Sequence, residues 1–173
     1  MTPSADPQAV LVTGVYGAGK STVVEDIGTL LEKRGIAYGV LDVDWLGWFD
    51  AGQGDAIHER VQMANVAHVC AAYLAEGVCR LALARSVRDR DELAAIRLAV
   101  PAPMRVVRLE VDAALVERRL SDNPTEGRRQ DDLNVAMEWL AAGHGVGLEE
   151  LLLAGDRPVR ETSMTICTWM GWL

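Results

Sequence analysis

The stretch Gly14-Val15-Tyr16-Gly17-Ala18-Gly19-Lys20-Ser21 decides the fold of this 173-residue chain. It fits the pattern G-x-x-x-x-G-K-[ST], in which glycines let the backbone curl until successive N–H groups and the next helix N-terminus point at one anion. Lys20 would bring positive charge to the outer phosphates of a nucleotide, and the Ser21 hydroxyl would bind magnesium. The residues expected to contact the nucleotide in this segment are Gly14, Tyr16, Gly17, Ala18, Gly19, Lys20, Ser21 and Thr22.

The segments that flank this motif are those that a phosphate-binding loop requires. The apolar run 9–12 predicts a buried strand, and a helical stripe of apolar residues follows the loop until Gly35. In a chain of this composition the pattern arises by chance in roughly one case in a thousand. These features favour a phosphate-binding loop over a glycine-rich turn without a ligand.

Composition limits the classes of partner. A hydrophobic content of 50% in 173 residues suits one domain over residues 1–173. The net charge of −8 disfavours a nucleic-acid partner, and no apolar run reaches transmembrane length. Residues 1–8 lack the features of a signal peptide, and the odd set Cys70, Cys79 and Cys167 lacks metal-binding spacing. We predict a cytoplasmic monomer or homodimer with reduced thiols, a small-molecule substrate, and no membrane or nucleic-acid partner.

Two aspartates end the second predicted strand, residues 37–44. Asp42 and Asp44 would lie at its carboxyl end, where ligands bind to parallel sheets. The following segment, 45–55, mixes aromatic residues with glycines and begins at Trp45. It is either a mobile cover over a site or a hydrophobic plug, and the sequence leaves both open.

The next segment, 57–76, predicts a helix whose apolar face is Ile57, Val61, Ala64, His68 and Ala71. His58, Gln62 and Asn65 share a different, polar face. This stripe is either an acceptor contact or the solvated side of the helix. We assign residues 45–75 to acceptor binding.

Arginines lie at and just beyond the carboxyl end of the third predicted strand, residues 77–86. Arg85 and Arg88 could hold an anionic substrate or phosphate, while surface ion pairs with Asp89 and Asp91 are the alternative for Arg88. Asp89 is the expected N-cap of a helix to residue 100. The residues proposed to contact the acceptor are Asp42, Asp44, Trp45, Asn65, Arg85 and Arg88.

Four arginines surround a polar turn after the fourth predicted strand (104–111) and the next helix (113–120). They are Arg118, Arg119, Arg128 and Arg129. Because a guanidinium grips phosphate oxygens at two points and stays charged, the segment 120–130 is interpreted as a lid over phosphates. A solvated basic loop is the alternative.

The remaining segments complete an alternation of strands and helices. We expect a helix over 131–143, a short fifth strand over 158–162 and a final helix over 164–173. Such alternation predicts an α/β sandwich with a parallel sheet and a site along the carboxyl ends of its strands. Phosphate loop, aspartates and arginines would converge there, which indicates phosphoryl transfer: the loop and Mg²⁺ hold the donor, an aspartate takes the acceptor's proton, and arginines neutralise charge.

These motifs resemble the small P-loop kinases of the nucleoside monophosphate kinase-like group, in particular adenylylsulfate kinase-like enzymes and antibiotic phosphotransferases of the chloramphenicol phosphotransferase type. The resemblance rests on residues 14–21, on Leu41-Asp42-Val43-Asp44, and on the arginine pairs 118–119 and 128–129. It implies a three-layer sandwich with a five-stranded parallel sheet in the order 2-3-1-4-5, and ATP with Mg²⁺ as donor.

The same resemblance implies roles for individual residues. Asp44 would be the base or orient the acceptor, and Asp42 would help to hold Mg²⁺ through water. Arg118 or Arg119 would lie against the adenine or its phosphates. Arg128 or Arg129 would close on the γ-phosphate, so that Lys20, Asp44, Arg119 and Arg128 are the expected catalytic residues.

The function favoured by this reasoning is ATP-dependent phosphorylation of a hydroxyl group on a small metabolite or antibiotic. The alternative is an ATP-binding regulatory or accessory protein that no longer transfers phosphate efficiently. No N-K-x-D motif for reading guanine is present in the chain, which disfavours a GTPase.

Overall fold

The central strand of the sheet leads directly into the phosphate loop. The computed structural model describes residues 6–49, 55–121 and 129–173. In these residues five strands pair in parallel in the order β2-β3-β1-β4-β5. The strands are β1 (Gln8–Thr13), β2 (Tyr38–Asp42), β3 (Arg80–Ala84), β4 (Met104–Glu110) and β5 (Leu151–Ala154). The expected fold class and strand order are confirmed.

Helices cover both faces of this sheet. The helices are α1 (Lys20–Glu32), α2 (Asp55–Ala75), α3 (Arg90–Ala99), α4 (Ala113–Ser121), α5 (Arg129–Ala142) and α6 (Val159–Trp169), with a short 3-10 helix at Asp44–Gly47. Side chains alternate along β1: Val10 and Val12 join the core with α1 and α6, whereas Ala9 and Leu11 join the core with α2 and α3. Two apolar cores therefore fix the central strand from both sides.

The register of the strands brings their ends together. Val12 in β1 pairs with Ala84 in β3, and Ala84 pairs with Asp42 in β2. The loop after β1, the residues after β3 and Asp42 therefore leave the sheet at one edge. This edge is where the sequence predicted the site.

The fifth strand was predicted in the wrong place. It lies at Leu151–Ala154 and pairs with β4, whereas the segment 158–162 begins α6. Pro158 is the N-cap of this helix, a position where a missing N–H costs nothing. Thr162 and Ser163 are buried inside it because their hydroxyls donate to the backbone oxygens of Pro158 and Val159, at 3.2 and 2.9 Å.

The buried face of α2 also differs from the expected one. Ala64, His68 and Ala71 are exposed, whereas Val66 and Cys70 are fully buried. Gln62, Val66 and Cys70 are spaced four residues apart and share the buried face. Gln62 can lie on this face, with 3% of it exposed, because its amide has protein partners.

The expected N-cap of α3 is confirmed. Asp89 caps α3 by accepting hydrogen bonds from the backbone of Asp91 and Glu92, both at 3.0 Å. The three cysteines are free thiols. In the described part of the chain, no helix has the length and apolar character needed to span a membrane.

Candidate active site

A cleft of about 1050 Å³ opens at the carboxyl edge of the sheet. The phosphate loop forms one wall, and the segment after β2 forms the facing wall. Its lining residues are Tyr16, Gly17, Gly19, Lys20, Ser21, Thr22, Asp42, Asp44, Trp45, Gly47, Trp48, Phe49, His58, Ala84, Arg119, Leu120, Asp132 and Val159. The cleft thus joins the predicted nucleotide and acceptor regions in one space.

The backbone of the phosphate loop depends on glycine. Gly14 has φ of 143°, and a Cβ at this position would lie 2.7 Å from the backbone oxygen of Leu109. Gly19, the N-cap of α1, has φ of 94°. Residues with a side chain rarely adopt such angles, so glycine allows the loop to curl tightly before α1.

Lys20 is the first residue of α1, directly after the last glycine of the loop. It is 7% exposed, and its Nζ donates a hydrogen bond of 3.0 Å to the carbonyl oxygen of Val15. Burial lowers the pKa of Lys20 from 10.5 to about 8, while Asp44 and Asp42 act in the opposite direction. An ammonium has three donor hydrogens, so the bond to Val15 leaves capacity for phosphate oxygens.

Asp42 connects the phosphate loop to the end of β2. The Ser21 hydroxyl donates to one carboxylate oxygen of Asp42 at 2.6 Å, and the backbone N–H of Asp44 donates to the other at 3.1 Å. Hydroxyl and carboxylate oxygens are the ligands that Mg²⁺ prefers. Among the described residues no group of three or more His, Cys, Asp or Glu could hold a metal alone. The oxygens of Ser21 and Asp42 suit an ion that takes its other ligands from water and phosphate.

Asp44 faces the cleft beside Lys20. Partial burial raises the pKa of Asp44; Lys20 lowers it, Asp42 raises it and Arg85 lowers it, in that order of influence. The side chain also borders the open cleft. A carboxylate with a raised pKa is a better proton acceptor than an ordinary aspartate.

Arg119 holds the phosphate loop by hydrogen bonds to its backbone. Its Nη1 donates to the carbonyl oxygens of Gly17 and Ala18 at 3.3 and 2.9 Å, and its Nη2 donates to Gly155 at 2.7 Å. The guanidinium also lines the cleft. One side chain thus joins α4 to the phosphate loop and to the turn after β5.

The polar stripe of α2 holds the segment after β2. Gln62 donates to the carbonyl oxygen of Val43 at 2.8 Å, and Asn65 donates to that of Leu46 at 2.8 Å. His58 is hydrogen-bonded to the carbonyl oxygen of Gly47, and Arg85 donates to the side-chain oxygen of Gln62. We use the name carbonyl clamp for Val43–Gly47 together with the side chains of His58, Gln62 and Asn65. The clamp fixes the backbone on both sides of Asp44.

Aromatic rings line the wall next to Asp44. The rings of Trp45 and Trp48 have centroids 4.9 Å apart and are tilted by 34°. Phe49 stacks on His58 with centroids 5.3 Å apart. All four side chains belong to residues that line the cleft.

The predicted site residues separate into three groups. Those that line the cleft are Tyr16, Gly17, Gly19, Lys20, Ser21, Thr22, Asp42, Asp44, Trp45 and Arg119. Those that lie outside its lining are Gly14, Ala18, Asn65, Arg85, Arg88 and Arg118. Arg88 lies on the surface, with its Nε 3.9 Å from Oε1 of Glu92. Arg118 is exposed on α4. Arg128 and most of the segment 120–130 lie outside the described residues, as does the side chain of Arg129.

Some lining residues were not among those proposed from the sequence. Asp132 belongs to the helix expected over 131–143, and Val159 to the segment 158–162 that was expected to form the fifth strand. Trp48 and Phe49 belong to the segment 45–55, and His58 belongs to the polar stripe of α2, but none of the three was among the proposed contact residues. The sequence feature that could have indicated them is the group of aromatic residues close after Asp42 and Asp44. It can be interpreted only once α2 is known to pack against this segment.

Solved structures similar to this chain share its fold at low sequence identity. A sugar kinase from Janibacter sp. HTCC2649 is 17% identical, with 96% of this chain and 95% of that chain covered and a TM-score of 0.68. The APS kinase CysC of Mycobacterium tuberculosis, in complex with AMPPNP and APS, is 21% identical. The match covers 96% of this chain and 98% of that chain, with a TM-score of 0.62. The tunicamycin resistance protein of Deinococcus radiodurans is 15% identical over 98% of each chain, with a TM-score of 0.64. The expected likeness to small P-loop kinases is confirmed at the level of the fold.

Sequence comparison adds a family assignment. No curated protein sequence matches the chain. Residues 1–88, just over half of the 173 residues, match the family model of the methylmalonyl Co-A mutase-associated GTPase MeaB. The matched part includes the phosphate loop, Asp42, Asp44 and the carbonyl clamp. On this match, the chain belongs to the MeaB family of P-loop proteins.

Proposed function

We propose that this protein is an ATP-dependent kinase that phosphorylates a hydroxyl group of a small-molecule metabolite or antibiotic. The observation that carries the proposal is the position of Asp44. Its carboxylate lies in the cleft beside Lys20, whereas the carboxylate of Asp42 accepts the hydrogen bond from the Ser21 hydroxyl. A second carboxylate next to the phosphate loop, not bound to that hydroxyl, suits a general base for an acceptor.

The residues of the cleft divide the chemistry between them. Backbone N–H groups of residues 14–21, with Lys20, bind the phosphates of ATP. Ser21 and Asp42 would hold Mg²⁺, which neutralises phosphate charge when bound. Asp44 accepts the proton of the acceptor hydroxyl, whose oxygen bonds to the γ-phosphorus as the bond to the leaving ADP oxygen breaks.

The size of the cleft supports two ligands. A volume of about 1050 Å³ lies just above the ~300–1,000 Å³ that pockets for one drug-sized ligand occupy. Space remains beside the phosphate loop on the aromatic wall. We therefore assign the nucleotide to the wall of the phosphate loop and the acceptor to the wall of residues 44–49.

The family match favours a second candidate, a nucleotide-hydrolysing regulatory protein. The MeaB model describes a GTPase. The chain has three asparagines, Asn65, Asn123 and Asn134, and none precedes a lysine, so it lacks the N-K-x-D pattern that reads guanine. This absence supports ATP rather than GTP as the ligand.

The test is a thermal-shift screen with Mg²⁺ and either ATP or GTP, to which pools of sugars, nucleosides and aminoglycosides are added. A ligand that binds the folded state raises the melting temperature by mass action. We expect greater stabilisation by ATP than by GTP, and a gain of one phosphate in the mass of at least one acceptor. Nucleotide hydrolysis without any phosphorylated acceptor would instead support the regulatory candidate.

A further inference from the structure

Two tryptophans lie unusually exposed at the mouth of the cleft. Trp45 is 67% exposed and Trp48 is 65% exposed, although both line the cavity and their rings touch each other. A hydrophobic plug would bury these rings, so the exposure contradicts that interpretation of the segment. Exposed aromatic clusters beside a cavity are typical of ligand-binding surfaces.

The position of these rings is fixed by the carbonyl clamp. Gln62, Asn65 and His58 bind the carbonyl oxygens of Val43, Leu46 and Gly47. Gly47 is tightly enclosed, because a Cβ there would lie 2.5 Å from Nε2 of Gln62. The backbone that carries Trp45 and Trp48 is therefore a held platform, and a ligand would find the rings already in place.

The charge of this wall is negative. The described acidic residues that line this wall are Asp42 and Asp44, and the sequence from Ile36 to Phe49 has no lysine or arginine. Among the described lining residues, the lysine and arginine side chains are Lys20 and Arg119, and both donate to carbonyl oxygens of the phosphate loop. Arg85, whose charge acts on Asp44, is hydrogen-bonded to Gln62 and lies outside the cleft lining. An anionic acceptor would therefore meet Asp42 and Asp44 without a cation among the described lining residues of this wall.

We infer that the acceptor is a hydroxyl compound with an apolar or aromatic ring face and no anionic group. Its ring stacks on the platform of Trp45 and Trp48, and its hydroxyl reaches Asp44. A protonated amine on the same compound is favoured by the rings and the carboxylates. This inference rests on the proposed kinase function, but the binding preference can be measured without catalysis.

The experiment is a binding screen with saturating AMPPNP and Mg²⁺, so that only the acceptor wall remains free. The probes are phenyl β-D-glucoside and other uncharged ring alcohols, tyramine and other amine-bearing ring alcohols, the carboxylate phenyl β-D-glucuronide, and the acyclic polyol sorbitol. Affinity is read by thermal shift and by tryptophan fluorescence. We expect the best ligand to come from the uncharged or amine-bearing ring alcohols, and to bind at least tenfold more tightly than its carboxylate counterpart.

The platform itself is tested with the double substitution Trp45→Leu, Trp48→Leu. We expect it to weaken the best ring ligand at least tenfold, while Trp45→Phe, Trp48→Phe restores most of the affinity. Leu98→Ala is the matched control, since Leu98 is apolar and 90% exposed on α3, outside the cleft lining. Melting temperatures without ligand verify that each variant is folded.

The outcomes separate the acceptor class from the proposed reaction. Tightest binding by a carboxylate or by sorbitol, no binding by any ring alcohol, or unchanged affinity in the leucine variant would overturn the inference. Phosphate transfer to an anionic or acyclic acceptor would overturn it while leaving the kinase in place. Ring binding that needs the tryptophans, without any transfer from ATP, would retain the ligand class and remove the kinase.

Discussion

The ammonium of Lys20 donates a hydrogen bond of 3.0 Å to the carbonyl oxygen of Val15, across the loop in which both residues lie. This contact keeps a buried positive charge at the point where phosphates would bind. Burial lowers the pKa of Lys20 to about 8, which means that the folded protein holds this proton less tightly than the unfolded chain does. The phosphate loop therefore carries a cost in stability that a bound anion would remove.

Lys20→Met should stabilise the nucleotide-free protein and abolish ATP binding. A lysine pKa that falls from 10.5 to about 8 on folding costs about 3 kcal/mol at neutral pH. The lost bond to Val15 offsets roughly 1 kcal/mol of the gain. We expect a melting temperature higher by several degrees at pH 7, measured calorimetrically. This cost disappears as the pH rises from about 8 towards 10.5. The difference in melting temperature between Lys20→Met and the native protein should therefore shrink over that range.

Asp44→Asn should abolish phosphoryl transfer and leave ATP affinity nearly unchanged. The substitution keeps the shape of the side chain but removes the proton acceptor. We expect kcat to fall by a factor of about 10²–10⁴, with the dissociation constant of ATP altered less than threefold. Turnover by radiolabelled phosphate transfer and binding by calorimetry measure the two quantities. A variant as active as the native protein would exclude Asp44 as the base.

Activity should depend on pH through two groups. Asp44 must be ionised to accept a proton, and burial raises its pKa. As the pH is lowered, kcat/KM should therefore begin to fall at a higher pH than it would with an ordinary aspartate as the base. Lys20 must be protonated to bind phosphates, and its pKa is about 8 in the free protein. ATP affinity should therefore fall about tenfold between pH 7 and 9. Lys20→Arg, which stays charged, should flatten that alkaline decline.

Gln62→Leu should disturb catalysis through the backbone around Asp44. Gln62 is 3% exposed and links Arg85 to the carbonyl oxygen of Val43. Leucine leaves both groups without this partner, at a cost of about 1–3 kcal/mol. We expect a lower kcat with little change in ATP affinity. Asn65→Ala, which removes an exposed bond of the same clamp, should destabilise by less than about 1 kcal/mol.

Arg119→Ala should weaken both the fold and the binding of ATP. The side chain bonds three carbonyl oxygens, two in the phosphate loop and one at Gly155. Its loss should cost about 2–4 kcal/mol, because hydrogen bonds from charged donors are the stronger ones. Arg118→Ala removes the same charge from the adjacent, exposed position. Denaturant unfolding should show a loss of less than about 0.5 kcal/mol for that variant.

Local chemistry in the sequence determined the fold class and the phosphate loop. The motif at residues 14–21 specifies its own backbone, because glycines supply angles that other residues avoid, as Gly14 and Gly19 show. Strand and helix patterns on either side gave the parallel sheet. Asp42 and Asp44 were predictable as site residues because the carboxyl ends of parallel strands meet at one edge.

Tertiary packing decided what the polar stripe of α2 does. The sequence placed Gln62 and Asn65 on a face for solvent or acceptor, but the side chains bind the carbonyl oxygens of Val43 and Leu46. A glutamine can occupy a core position only when its amide is satisfied, and here the partners are 19 and 23 residues away in the chain. Periodicity cannot reveal such partners, since they exist only once α2 packs against the end of β2.

The same reason separates the arginines. From the sequence, Arg85 and Arg88 were expected to contact the acceptor, and Arg118 or Arg119 to lie against the adenine or its phosphates. Only the packed structure shows that Arg119 reaches the loop, that Arg85 serves Gln62, and that Arg88 and Arg118 lie at the surface. Residue type determines which contacts a guanidinium can make, but the direction of the side chain from its helix or strand decides which of them form.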